Sequence, residues 1–141
     1  MTKKYTGKCL CGKVTYVVIG PPIVVAQCHC NKCRRLSGTG HTVGAMFTSD
    51  AVTISGKLNE FSYLSDKNSQ VTKAFCATCG SPIYGKSTRT PGHLTLTLGT
   101  MDDACGLEVE VVIFEREKPH WDQLGQDAVS FATQPDWKPG G

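Results

Sequence analysis

The chain has 141 residues, 40% of them apolar and 19% charged, with a formal net charge of +3. That length suits one domain, residues 1–141, able to bury roughly two-thirds of the surface its unfolded chain exposes, so a core is available without metal. So small a charge, without a basic block, disfavours a nucleic-acid partner. The first residues, Met-Thr-Lys-Lys-Tyr-Thr-Gly, lack an apolar run and a small-residue cleavage site, so no secretion signal is expected. The longest apolar stretch, near Val109 to Phe114, is too short to span a bilayer. A cytoplasmic location is the expectation, and there the eight cysteines stay reduced and serve as metal ligands more readily than as disulfides.

In chain order, Gly7-Lys8-Cys9-Leu10-Cys11-Gly12 opens as a Cys-x-Cys knuckle between glycines, a turn whose backbone N–H groups point toward sulfur. Val14 to Ile19, β-branched and aromatic, reads as a strand ended by Gly20-Pro21-Pro22, and Ile23 to Ala26 as a second strand leading to Cys28. Cys33 to Ser37 fits a helical turn, Ser37 to Gly40 a loop, and His41 to Phe47 extended chain. Val52 to Ile54, Phe61 to Leu64 and Val71 to Phe75 are short strands separated by Ser-Gly and Ser-Asp-Lys-Asn-Ser turns. Cys76-Ala77-Thr78-Cys79-Gly80 is a second knuckle. His93 to Leu98 alternates, with Leu94, Leu96 and Leu98 on one face, and Glu108 to Glu115 is expected to be the longest strand. Asp127 to Thr133 could make a helical turn or two. The tail after Pro135 is expected to be poorly ordered unless Trp137 packs back. The pattern is all-β: short strands in two packed sheets.

Seven cysteines fall into three clusters: Cys9 with Cys11, Cys28 with Cys30 and Cys33, and Cys76 with Cys79. The first and last together offer four thiolates, enough to close a tetrahedral structural site. Joining Cys11 to Cys76 closes a loop of 65 residues, at a cost on the order of 4 kcal/mol plus a constant. Structural zinc contributes about 10–16 kcal/mol, so the ion outweighs the loop. Iron or an iron–sulfur cluster uses the same ligands. Cys28, Cys30 and Cys33 leave one tetrahedral corner for water, a substrate thiol, His29, His41 or Cys105, although Cys105 alone reads as an ordinary buried thiol. Zinc on three thiolates is already net negative, which weakens it for making hydroxide and suits it to thiol chemistry. Lys32, Arg34 and Arg35 are placed to offset a fourth thiolate. A general acid is not ranked among His29, His41 and Tyr84.

Taken together, Gly7 to Tyr16, Cys28 to Gly38 and Phe75 to Ile83 resemble the signature blocks of the glutathione-dependent formaldehyde-activating family, which includes the centromere protein V domain. The blocks run from residue 7 to 83. The resemblance implies a β-tent of small antiparallel sheets with zinc knuckles. It implies one structural zinc on Cys9, Cys11, Cys76 and Cys79, and a second, catalytic zinc on Cys28, Cys30 and Cys33. It also implies a carbon–sulfur lyase that adds glutathione to formaldehyde, giving S-hydroxymethylglutathione. The expected partner is a small-molecule thiol such as glutathione, with Arg34 and Arg35 facing its thiolate or carboxylates. The main alternative is a non-catalytic, zinc-stabilised module that binds a protein or nucleic acid; a weaker one is a redox sensor built on exposed thiolates. The sequence sets no oligomeric state.

Overall fold

The computed structural model describes residues 3–123, 125 and 127–136. Strands β1 (Lys4–Lys8), β2 (Thr15–Ile19) and β5 (Val52–Ser55) form a three-stranded sheet in the order β1-β2-β5. Strands β3 (Val24–Cys28), β4 (Thr42–Thr48), β6 (Leu58–Leu64), β7 (Gln70–Cys76), β8 (Pro82–Ser87), β9 (His93–Thr97) and β10 (Val111–Ile113) form a seven-stranded sheet, ordered β10-β3-β4-β9-β8-β7-β6. The single α-helix among the described residues, α1, spans Asn31–Ser37. The fold is therefore all-β, and its pairings are antiparallel except β10 with β3, which is parallel.

The alternation of side chains along each strand decides which face meets the core. Tyr5, Tyr16 and Val18 of the small sheet turn inward, as do Val25, Ala45, Phe47, Ile83 and Leu96 of the large one, and these buried residues form one cluster. The opposite face of the large sheet follows from register. Met46 lies opposite Thr95, Thr95 opposite Gly85, and Gly85 opposite Lys73. Further along, Cys28 lies opposite Thr42 and Ala26 opposite Gly44. Directly paired residues share a face, so these side chains floor a cavity of about 660 Å³ on which α1 rests Cys33, Leu36 and Ser37.

Three expectations are corrected. The long strand expected from Glu108 to Glu115 is reduced to Val111–Ile113, an exposed edge strand. Glu110 docks instead, its N–H donating to Val25 O at 2.9 Å while its carboxylate accepts from Val25 N at 3.2 Å, and Phe114 ends the run with φ 56°. No helix forms among the described residues of 127–133: Val129 is 82% and Phe131 56% exposed, and so short a segment is not helical without a surface to pack on. Leu98 leaves the alternating strand to begin a 3-10 turn, Leu98–Thr100. The expectation for Trp137 falls outside the described residues, as does nearly all of the tail after Pro135.

Candidate metal centres and cavity

Cys9, Cys11, Cys76 and Cys79 meet where the β1–β2 turn abuts the β7–β8 turn, with their sulfurs all within 4.8 Å of one another. Both turns are knuckles. Val14 N–H donates to Cys9 Sγ at 3.2 Å, and Thr78 and Cys79 N–H donate to Cys76 Sγ at 3.3 and 3.4 Å. Each turn is followed by a glycine in the left-handed region, Gly12 at φ 81° and Gly80 at 79°, where a side chain would be strained. Ser81 bridges the two turns: its hydroxyl accepts from Leu10 N–H at 3.1 Å and lies 3.3 Å from Cys79 Sγ.

Cys28, Cys30 and Cys33 form the second cluster, again within 4.8 Å. The order strand end, cap, helix explains their spacing. Cys28 is the last residue of β3, Cys30 is the N-cap of α1 and accepts from Cys33 N–H at 3.3 Å, and Cys33 lies buried in the first helical turn. Cys28 and Cys33 line the cavity. Cys105, expected to be buried or to complete this trio, is instead exposed and belongs to neither cluster.

The acidities show what each donor set lacks. A hydrogen bond from the Cys28 thiol, against the cost of burial and helped by Thr42 and the positive charge of Lys73, holds Cys33 down to about 5. The same contact, together with burial, pushes Cys28 far up, and burial raises Cys30. In the quartet, the Ser81 hydroxyl holds Cys79 down to about 5. Cys11 is pushed up to about 11, a backbone hydrogen bond at Lys13 pulling down against burial and the neighbouring thiols. Sulfurs this close cannot all ionise beside one another; a shared cation removes that conflict, and soft thiolates select zinc-like ions. Both clusters therefore fit a zinc ion.

A third group of titratable side chains lies beside the trio. Asp122 Oδ2 is 2.9 Å from Nδ1 of both His29 and His41. His29 is buried, with Nε2 2.9 Å from Gln27 Nε2 and Nδ1 3.1 Å from Gly40 O. Accepting from the Gln27 amide at Nε2 leaves its proton on Nδ1, directed at Gly40 O and Asp122, so the network is satisfied without a cation. Burial raises the Asp122 carboxyl, but the His41 hydrogen bond and nearby positive charge, that of Lys118 included, bring it below its ordinary value.

Of the residues singled out by sequence, His41 and Tyr84 line the cavity and His29 does not. Arg34 and Arg35 both donate to Asn31 Oδ1, at 3.3 and 2.9 Å, and lie outside the cavity lining. Lys32 pairs with Asp66 at 3.1 Å. Sequence reasoning missed Asp122 and Lys73, which stand 89 and 40 residues beyond Cys33 and reach the site only through sheet register and chain return. It also missed Tyr63, whose phenol is kept protonated by burial and then by the charge of Cys33, Cys30 and Cys28. Only the Cys-x-Cys-x-x-Cys spacing announced the site.

The sequence model of the glutathione-dependent formaldehyde-activating enzyme family matches residues 4–117. A crystal structure of a Rhodobacter sphaeroides protein, a structural genomics target, is similar at TM-score 0.57 and 20% identity, covering 76% of this chain and 98% of that one. That likeness is one of fold. No curated protein matches the chain.

Proposed function

The chain belongs to the glutathione-dependent formaldehyde-activating enzyme family, and from that premise we propose that it is a zinc-dependent carbon–sulfur lyase. In this reading it joins a thiol such as glutathione to a small carbonyl compound, formaldehyde being the family's case, and reverses that step. The thiolate sulfur attacks the carbonyl carbon, a C–S bond forms, the C=O π pair moves to oxygen, and that oxygen takes a proton. The observation that carries the reading is the position of the trio: Cys28 and Cys33 open onto a large cavity, whereas the quartet ties two turns together.

Zinc on Cys28, Cys30 and Cys33 would supply a position at which an incoming thiol stays ionised near neutral pH, below the ~8.5 of a free thiol. Cys9, Cys11, Cys76 and Cys79 would hold a second, structural ion. The cavity walls hold the carbonyl compound beside the sulfur, so much of the acceleration is positional. His41 delivers the proton: Asp122 fixes its Nδ1, and its ring lines the cavity, which leaves Nε2 to serve the new oxygen. Arg34 and Arg35, on the helix that carries Cys33, offset the negative charge of the thiolates and of the incoming thiol.

The test is exchange of glutathione with formaldehyde followed by NMR. The reading expects catalysed formation of S-hydroxymethylglutathione, lost in Cys30→Ser with the fold retained. An uncatalysed rate, with zinc bound and the fold intact, contradicts it and favours a non-catalytic binding module.

A further inference from the structure

The cavity holds a lysine and apolar walls to which the reaction above assigns no role. Its lining includes Lys73, Lys86, His41 and His93, and no carboxylate. Lys73 is half-buried in β7 and pairs with no acidic group among the described residues. Its place is built by the neighbouring strand. A Cβ at Gly85, directly opposite, would stand 2.9 Å from Lys73 Nζ and 3.1 Å from its Cδ. The lysine stem therefore lies flat across Gly85, which lays the ammonium along the cavity floor.

Around Lys73 the nearest walls are apolar. Val71 and Phe75, two residues either side of Lys73, share its face of β7; Met46 comes from β4, Leu36 from α1 and Ile113 from β10. Glutathione would take up part of the 660 Å³ but brings no hydrocarbon body to these walls, and a one-carbon aldehyde, on the order of the ~30 Å³ of a single water, adds none. An unpaired, half-desolvated cation set in apolar walls is complementary to an anion with a hydrocarbon body.

We propose that the cavity is a subsite for an amphipathic carboxylate, with the carboxylate on Lys73 Nζ and an apolar chain along Met46, Val71, Phe75 and Leu36. The proposal rests on the reading that the cavity is the substrate site and narrows it: the substrate, or the adduct it forms, carries a carboxylate and an apolar substituent together. Gly85 is then a specificity-determining position, because it fixes where the ammonium lies.

Sulfur-free probes separate this subsite from the thiol chemistry. Calorimetric titration of the zinc-loaded protein with hexanoate and hexanamide should show the carboxylate binding about tenfold more tightly, as a charge-assisted hydrogen bond in a partly dry site allows. Extending the series from butanoate to octanoate should tighten binding about threefold to fourfold per methylene. Lys73→Gln should erase the preference for hexanoate and Lys73→Arg should keep it. Gly85→Ala should weaken hexanoate with the fold intact, because only the flexible lysine head must move. Equal binding of hexanoate and hexanamide, no binding of either, or a preference unchanged in Lys73→Gln overturns the proposal. That last outcome would leave Lys73 as a counter-charge for the thiolates alone. Because no probe contains sulfur, loss of thiol chemistry with hexanoate binding intact would fail the lyase reading and not this one.

Discussion

The carboxylate of Asp122 sits against the backbone of Gly40: a Cβ on Gly40 would collide with the Asp122 carboxylate. This close approach lets Asp122 reach Nδ1 of His29 and His41 together, so one glycine fixes how residues far down the chain return to the helix and strand that bear the trio. Gly40→Ala should displace Asp122 and Asp122→Asn should weaken both hydrogen bonds. Each is expected to lower Tm by about 3–10 °C and, in the reading above, to cut catalysis more than thiol binding. Equal losses in both would make Asp122 a merely structural residue.

The same carboxylate sets a pH signature. Its pKa in the folded protein is lowered, so its contribution to stability is present above the unfolded value, about 3.9, and is lost as pH falls through the folded value. The stability gap between the native protein and Asp122→Asn, read from urea midpoints, should hold from pH 7 to about 5 and close below about pH 4. A gap that widens on acidification reverses the sign and contradicts the assignment.

The two cysteine clusters should differ in what they support. Cys76 is 1% exposed and its backbone and sulfur organise a knuckle, so Cys76→Ser should unfold the chain or cost it more than 10 °C of Tm, as loss of a structural ion does. Cys30→Ser keeps an oxygen able to cap α1 and should melt within a few degrees of the native protein. If the two variants melt alike, the division into a structural and a catalytic ion fails.

With metal removed, the thiols should react unequally. Cys33 is held down to about 5 and Cys28 is pushed far up, so at pH 6 iodoacetamide should label Cys33 ahead of Cys28, since the thiolate is the nucleophile. Peptide mass spectrometry reads the order directly, and zinc should protect all three. Labelling of Cys28 first would contradict the geometry.

Arg34 and Arg35 are exposed or half-exposed, whereas Lys73 lies in the cavity. Charges of the first kind act through solvent and are screened over about 8–10 Å. Removing both arginines should therefore slow glutathione association at low salt and do little at 0.5 M salt, while Lys73→Gln should weaken carboxylate binding at either ionic strength. Stopped-flow association rates distinguish the two.

What the sequence reveals and what it hides follow from the range of the interactions. The knuckles are local: a cysteine, its turn and the closing glycine lie within six residues, so both could be read directly, as could β2 from its β-branched and aromatic residues and β9 from its alternating leucines. β1 was not foreseen, because Lys-Tyr-Thr-Gly-Lys shows only Tyr5 as an inward apolar residue, 5% exposed. The Lys73–Gly85 and Gly40–Asp122 relationships depend on register and on chain return, which no spacing encodes. Glu108 to Glu115 misled for the opposite reason: a local apolar run read as the longest strand is an exposed edge pairing through three residues.

In the proposed lyase, the trio keeps a ligand position open to a thiol. Cobalt substitution followed by titration with glutathione, watching the visible and thiolate-to-metal absorption, reads that position out. Glutathione should change the spectrum of one of two bound ions, Cys30→Ser should abolish the change, and the quartet's ion should not respond. A spectrum with both ions bound that stays the same at saturating glutathione would contradict an open position.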